Sequence, residues 1–186
     1  MSLRETLLAD LGRQYYFSEQ IGKNPTMWRL FFSLFSPRFV PVILYRFSHS
    51  CYELKLTPLA KMLALINFVV FGLEIAMRCK IGKGLYLPHT QGTVIGAVSI
   101  GENAIIYHNV TFGAREIDLG YSGSARPVVG NNVIVGAGAK VLGGVVLGDG
   151  ARIAANAVVI EDVPAGVTVA GIPARIVKQH EASKSV

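Results

Sequence analysis

A chain of 186 residues in which 51% are hydrophobic and only 16% charged is too apolar to leave all of its surface to water, so other subunits or a membrane surface are expected to cover part of it. The net charge of +6 comes from bases that form no dense run, which argues against nucleic acid as a partner. Two cysteines, Cys51 and Cys79, with no CxxC pair, argue against a disulfide framework or a thiolate zinc site and for a reducing compartment. The first residues, Met1-Ser2-Leu3-Arg4-Glu5, lack a basic stretch followed by an apolar one. A cytoplasmic location follows, with the inner face of the membrane as the alternative.

Long side chains and helix formers dominate up to residue 78. A first helix is expected over Leu3 to Glu19, followed by a break at Gly22-Lys23-Asn24-Pro25. A second helical segment covers Thr26 to Leu34, and a third, Val40 to Leu54, follows Ser36-Pro37. Thr57-Pro58 marks a fourth start, with Thr57 as cap and Pro58 at the first helical position. The stretch from Leu59 to Leu73 is almost wholly apolar and too short for a transmembrane helix, which needs about 20 apolar residues. Burial against the rest of the protein is the expected reading, with membrane-surface contact as its rival. Residues 1–78 hold nine Lys or Arg against five acids, and Arg29, Arg38, Arg46 and Lys55 are interleaved with Trp28, Phe31, Phe32, Phe35 and Phe39.

After residue 78 the period changes. Val94, Ile100, Ile106 and Phe112 lie six apart, and Val129, Val135, Val141, Leu147, Ile153 and Val159 resume the spacing after an interruption. Ile81 and Leu87 extend it backwards. Small residues often follow, as in Ile100-Gly101, Val135-Gly136 and Ile153-Ala154. A period of six suits neither a helix nor an ordinary strand, but it suits a solenoid whose coil has three flat faces. Twelve hexads give about four coils over residues 79–178, with a flexible tail at 179–186. The interruption, residues 113–127, is too polar for a coil and is expected to loop from a corner as a mobile arm that closes over a ligand.

The histidines are not equivalent. His180 falls in the tail, and His49 falls on the third helix as a structural residue. His89 and His108 each lie two places after a ladder residue, Leu87 and Ile106, which are one coil apart, so both are expected to reach one cleft.

The blocks Leu87-Pro88-His89-Thr90-Gln91-Gly92-Thr93-Val94-Ile95-Gly96, Ile134 to Gly143 and Val169 to Val177 resemble the serine acetyltransferase family of hexapeptide-repeat acyltransferases. The likeness spans about Leu73 to Lys178. It implies a mainly β, left-handed parallel β-helix preceded by helices, a homotrimer or a dimer of trimers, and transfer of acetyl from acetyl-CoA to a hydroxyl without a metal or an acyl-enzyme. Left-handedness rests on the resemblance alone, because crossovers are otherwise right-handed. By position His89 matches the general base, and Glu74 matches the carboxylate that orients it, a division of labour that imidazole and carboxylate chemistry suits. His108 is a second catalytic candidate. Backbone N–H groups near Gly113 are candidates for the oxyanion. Ala137 and Ala155 match small residues beside the pantetheine arm, and Arg175 and Lys178 match basic residues near the nucleotide phosphates. Arg115 and Arg126 of the arm are candidates for the acceptor.

Two departures bear on that acceptor. The family typically carries Asp before the base and a second His before the loop-closing Pro; this chain has Pro88 and Arg126-Pro127. In its shortened apolar helical region, its Tyr45-Arg46 to His49 element and its paired His89 and His108, the chain is similar to the exopolysaccharide and capsule enzymes of the same fold, such as colanic acid acetyltransferases. A sugar hydroxyl in bacterial polysaccharide synthesis is therefore the expected acceptor, with serine as the alternative. A zinc carbonic anhydrase would need a third His ligand, which the coils do not supply. A non-catalytic scaffold is the remaining reading.

Overall fold

The computed structural model describes residues 2–18, 23–118 and 120–180. Four helices precede the coils: α1 (Leu3–Phe17), α2 (Met27–Ser33), α3 (Val40–Glu53) and α4 (Thr57–Phe71). The expected ends at Glu19 and Gly22, Leu119 of the arm and residues 181–186 of the tail lie outside the described residues. Ser2 and Glu5 start α1 as a reciprocal cap, the Ser2 hydroxyl accepting from Glu5 N–H and the Glu5 carboxylate from Ser2 N–H. Thr57 is not the cap of α4 but its first helical residue, with Leu56 at the cap and Pro58 within the first turn. Gly72 ends α4 in the left-handed region at φ 60°, where a Cβ would also strike the Gln91 side chain.

Burial of α4 is the expectation that fails most clearly. Only Ala60 and Asn67 are buried, whereas Met62, Leu65, Phe68, Val69 and Val70 are each more than half exposed. The helix packs on α3, with the Ser48 hydroxyl donating to Ala60 O at 2.8 Å and Asn67 Nδ2 to Pro41 O at 2.9 Å. Its other face finds no apolar cover among the described residues. No helix among the described residues is long and apolar enough to cross a membrane.

The coils form three parallel sheets. One face stacks Leu73–Ile75, Thr93–Ile95, Thr111–Gly113, Lys140–Leu142 and Val158–Val159. The second stacks Lys80–Ile81, Ser99–Ile100, Val128–Val129 and Val146–Leu147, and Leu147 bridges to Val163. The third stacks Ile105–Ile106, Ile134–Val135, Arg152–Ile153 and Val167–Ala170, with Tyr86 bridging to Ile105 below. The stack is thus five levels deep rather than about four, because Leu73–Ile75 already belongs to it. A final strand, Arg175–Gln179, runs antiparallel to Val167–Ala170 and closes the end.

The ladder residues point inward as the spacing requires, with one shift of register. Ile95, not Val94, is the buried member, in line with Ile75 below and Phe112 above. The corner between Leu87 and Thr93 holds two residues more than a hexad, and a slip of one residue turns a strand over. Thr93 also faces inward and donates its hydroxyl to Tyr107 O at 3.3 Å. Closely stacked corners demand glycine where coils touch: a Cβ on Gly101 would lie 2.6 Å from the Gly130 carbonyl.

The helices are tied to the first coil by one buried ion pair. Arg46 of α3 donates to both carboxylate oxygens of Asp10 on α1 and to the carbonyls of Ile81 and Gly82. Asp10 in turn accepts from Gly84 and Leu85 N–H at 2.7 and 2.9 Å. Nearby, the buried Tyr45 hydroxyl donates to Cys79 O at 2.7 Å.

Candidate active site

His89 stands in the enlarged corner between Leu87 and Thr93. Its neighbours fix that corner: Pro88 is buried, and the Thr90 hydroxyl donates to Phe71 O at 2.9 Å, pinning the turn to the end of α4. One level up, His108 occupies the corner after Ile106. The two imidazoles meet edge to face with ring centres 5.6 Å apart, and both are exposed to solvent. The two rings lie together as their spacing leads one to expect, at an exposed corner and not in strict register. Gln91 is the residue beneath His108, since Asn109 N–H donates to Gln91 O at 2.9 Å.

The same corner continues upward in small residues. Gly138 N–H donates to His108 O at 3.0 Å and Asn156 N–H to Ala137 O at 2.8 Å, so His108, Ala137 and Ala155 form one column. Gly92, Asn109, Gly138 and Asn156, each with φ between 56° and 75°, turn the chain beside it. Above the histidines the column carries only the methyl groups of Ala137 and Ala155.

Gly113 ends its strand with its carbonyl accepting from Gly143 N–H at 2.8 Å, and a Cβ on it would meet no atom within 4 Å. The backbone there is open to an approaching ligand. Beyond it the arm departs, and it is held rather than loose. Arg126 donates from Nε to Asp118 Oδ2 at 2.8 Å, from Nη2 to Asp118 O and from Nη1 to Gly96 O. Its guanidinium lies 4.0 Å from the centre of the Tyr121 ring, whose hydroxyl donates to Ala97 O. Burial raises the Tyr121 phenol to about 12, so it stays a donor. Arg126, expected to hold the acceptor, is therefore committed to the arm, because a planar fork with a carboxylate and an aromatic face beside it satisfies itself locally.

Arg115 is likewise engaged by the coil backbone. Its Nε donates to Leu142 O and its Nη2 to Ile160 O, across Gly143. With Ala114, Asp118, Ala125 and Gly144 it lines an open cleft of ≈ 490 Å³ between arm and coils. Arg175 and Lys178 sit in the closing hairpin. Arg175 is exposed and lies 3.4 Å from Glu161, beside a smaller cleft of ≈ 350 Å³ that Val159, Asp162 and Ile176 also line.

Glu74 is the candidate least supported by geometry. It projects outward from its strand between inward-facing Leu73 and Ile75, in register with Val94, and has no hydrogen-bond or ion-pair partner among the described residues. The side chain that meets His89 is His108, not Glu74. His180, assigned to a flexible tail by composition, is held by Gly166 O through its N–H and by the Thr168 hydroxyl at 2.7 Å from Nε2. His49 is structural as expected, with Nδ1 2.8 Å from Met77 O and its ring stacked on Tyr45.

The reading from sequence missed Thr90, Thr93 and Asp118. One signal was available: an acid eight residues before an arginine within the same polar loop. Among the described residues, no three His, Cys, Asp or Glu side chains stand together as a metal site.

Residues 126–161 match the family model of the bacterial transferase hexapeptide (six repeats). The serine acetyltransferase of Helicobacter pylori strain J99 is 39% identical over 145 residues, which are 77% of this chain and 83% of that protein. That of Synechococcus elongatus is 38% identical over 142 residues, and there the match spans only 57% of the relative. In three dimensions, the serine acetyltransferase of Brucella abortus strain S19 in complex with coenzyme A superposes with a TM-score of 0.82 at 30% identity, covering 97% of this chain and 69% of that one. On a fold of hexad coils behind a helical cap, and at this level of identity, the chain belongs to the serine acetyltransferase family of hexapeptide-repeat transferases.

Proposed function

We propose that this protein transfers acetyl from acetyl-CoA to the hydroxyl of serine, with His89 as the general base. The observation that carries the reading is the meeting of His89 and His108 at the foot of the His108, Ala137 and Ala155 column. The exposed base can take a proton there, and the column has no large side chain where the pantetheine arm would run. The acceptor oxygen attacks the thioester carbonyl as His89 removes its proton; the C–S bond then breaks, and the imidazolium returns the proton to the departing thiolate. Backbone N–H groups near the open Gly113 are assigned to the oxyanion, and Arg175 and Lys178 to the nucleotide phosphates. Glu74 keeps the orienting role only by its position in the family pattern.

Serine takes precedence over the saccharide acceptor expected from sequence, because the relatives are serine acetyltransferases and no relative above is a polysaccharide enzyme. The sugar reading survives on one observation: at the two positions where the family holds the amino acid, this chain has a buried Pro88 and an Arg126 already engaged by Asp118 and Gly96. Left-handed winding, a trimer built on the coils, and a division into residues 1–78, 79–178 and 179–186 belong to the same proposal. The exposed apolar face of α4 supports assembly, since other copies would cover it.

The deciding experiment measures thiol release from acetyl-CoA with free serine against a panel of sugars and saccharides. Turnover with serine is expected, and it should vanish in His89→Ala while coenzyme A binding persists. Turnover with saccharides alone would reverse the acceptor assignment, and full activity of His89→Ala would remove His89 as the base.

A further inference from the structure

We infer that α2 and the groove beside it form a docking surface for an anionic lipid bilayer. Trp28, Phe31, Phe32 and Phe35 project from this short segment with 54 to 80% of their surface exposed. They cluster with one another, Trp28 packing against both Phe31 and Phe32 with ring centres 6.1 and 5.2 Å apart. Aromatic rings at such exposure are costly in water and suited to the boundary between headgroups and acyl chains. Next to them Leu3, Leu7, Leu30, Leu34, Ile43 and Phe47 line an almost wholly apolar groove of ≈ 370 Å³, with Arg4 as its one charged lining residue. The apolar lining of the groove suits an acyl tail.

Charge chooses between a bilayer and a second copy of this chain. Residues 24–52 contain three Arg and no Asp or Glu. Arg46 is spent on Asp10, but Arg38 is exposed beyond the end of α2 and Arg29 lies between the aromatics in sequence, its guanidinium donating to Asn24 O. Glu5, the acid next to Arg4, is occupied by Ser2 N–H. A two-fold contact would set this mainly basic rim against itself, bringing Arg29 and Arg38 of one copy toward the like charges of the other. Anionic headgroups supply the missing partner, and each base near such a surface strengthens binding about fivefold. The inference does not depend on which hydroxyl is acetylated.

Trp28 is the chain's only tryptophan, so its fluorescence reports on this surface alone. The intact protein is mixed with vesicles of phosphatidylcholine, or of phosphatidylcholine with about one third phosphatidylglycerol. A blue shift with the anionic vesicles, quenching by brominated lipid and reversal by high salt are expected. Arg29→Gln with Arg38→Gln should weaken the partition by more than about tenfold, and Phe31→Ser with Phe35→Ser should abolish it, with thiol-release activity kept in both. An unchanged Trp28 spectrum with anionic vesicles would overturn the inference. So would a blue shift that follows protein concentration without lipid, which would make a second copy the occupant, or equal binding to both vesicle types.

Discussion

Arg46 and Asp10 form a two-bond ion pair with side chains only 5% and 0% exposed, and together they tie two helices to the first coil. Burial pushes the Asp10 carboxyl upward, and Arg46 with the N–H groups of Leu85 and Gly84 pulls it back. The pair is not self-contained. Asp10 satisfies those two N–H groups, and Arg46 satisfies the carbonyls of Ile81 and Gly82.

Asp10→Ala therefore leaves a buried guanidinium without its counter-ion and two amides without acceptors, which costs ~3–5 kcal/mol. For a chain of this size the melting temperature should fall by roughly 10 °C in a thermal scan followed by circular dichroism. Apolar replacement of both partners should not rescue it, because four backbone groups stay unsatisfied. A double variant as stable as the parent would show that the backbone bonds contribute little.

How much of this was legible in the sequence divides along the same line. The hexad ladder reveals the solenoid because each inward residue obeys a local rule, six positions after the last. The shift from Val94 to Ile95 was hidden because the corner at Pro88 to Gly92 is enlarged, and a corner's length is set by what it packs on, here the end of α4 through Thr90. Asp10 and Arg46 are 36 positions apart and gave no signal. His89 and His108 were readable because their spacing rides on the ladder; the engagement of Arg126 was not, because it depends on where the arm folds back.

His108 should matter less than His89. Removing a general base typically costs 10²–10⁴-fold in kcat, the range expected for His89→Ala. His108 touches the base edge to face without occupying its position, so His108→Ala should lower kcat about tenfold through misplacement of His89 or the acceptor. Glu74→Ala should reduce kcat with KM for acetyl-CoA unchanged. Unaltered turnover in Glu74→Ala would leave His108 as the group that positions the base.

The arm offers a separate test. Arg126→Ala removes its bonds to Asp118 and Gly96 and its stacking on Tyr121 while leaving the coils intact. Trypsin and chymotrypsin cleavage within residues 114–125 should become markedly faster, KM for a substrate should rise, and the melting temperature should move by less than about 3 °C. A large loss of stability would mean that the arm is part of the core rather than an ordered appendage.

His180 makes the closing hairpin sensitive to mild acid. Desolvation, reinforced by Arg152 and Lys178, lowers its pKa below the ordinary 6.5. The folded state thus binds fewer protons than the unfolded one between the two pKa values, and the hairpin's stability is complete above 6.5 and declines as pH falls through the depressed value. Proton NMR should give a His180 pKa below 6.5, and amide exchange in Arg175–Gln179, corrected for intrinsic rates, should accelerate as pH falls. A pKa at or above 6.5 would contradict this account.

Two glycines separate stability from chemistry. Gly101 lies where successive coils touch, and a Cβ there would sit 2.6 Å from the Gly130 carbonyl carbon and oxygen, which are backbone atoms of a stacked strand and cannot step aside. Gly101→Ala should cost ~1–3 kcal/mol through displaced coils. At Gly113 a Cβ meets nothing within 4 Å, so Gly113→Ala should melt with the parent. That open space has a consequence only when the acetyl thioester lies beside it, where a methyl group would press on the carbonyl that the local N–H groups are assigned to polarise. Gly113→Ala should therefore lower kcat/KM for acetyl-CoA by at least about tenfold without a change in melting temperature. If both turnover and stability match the parent, Gly113 has no part in the oxyanion site.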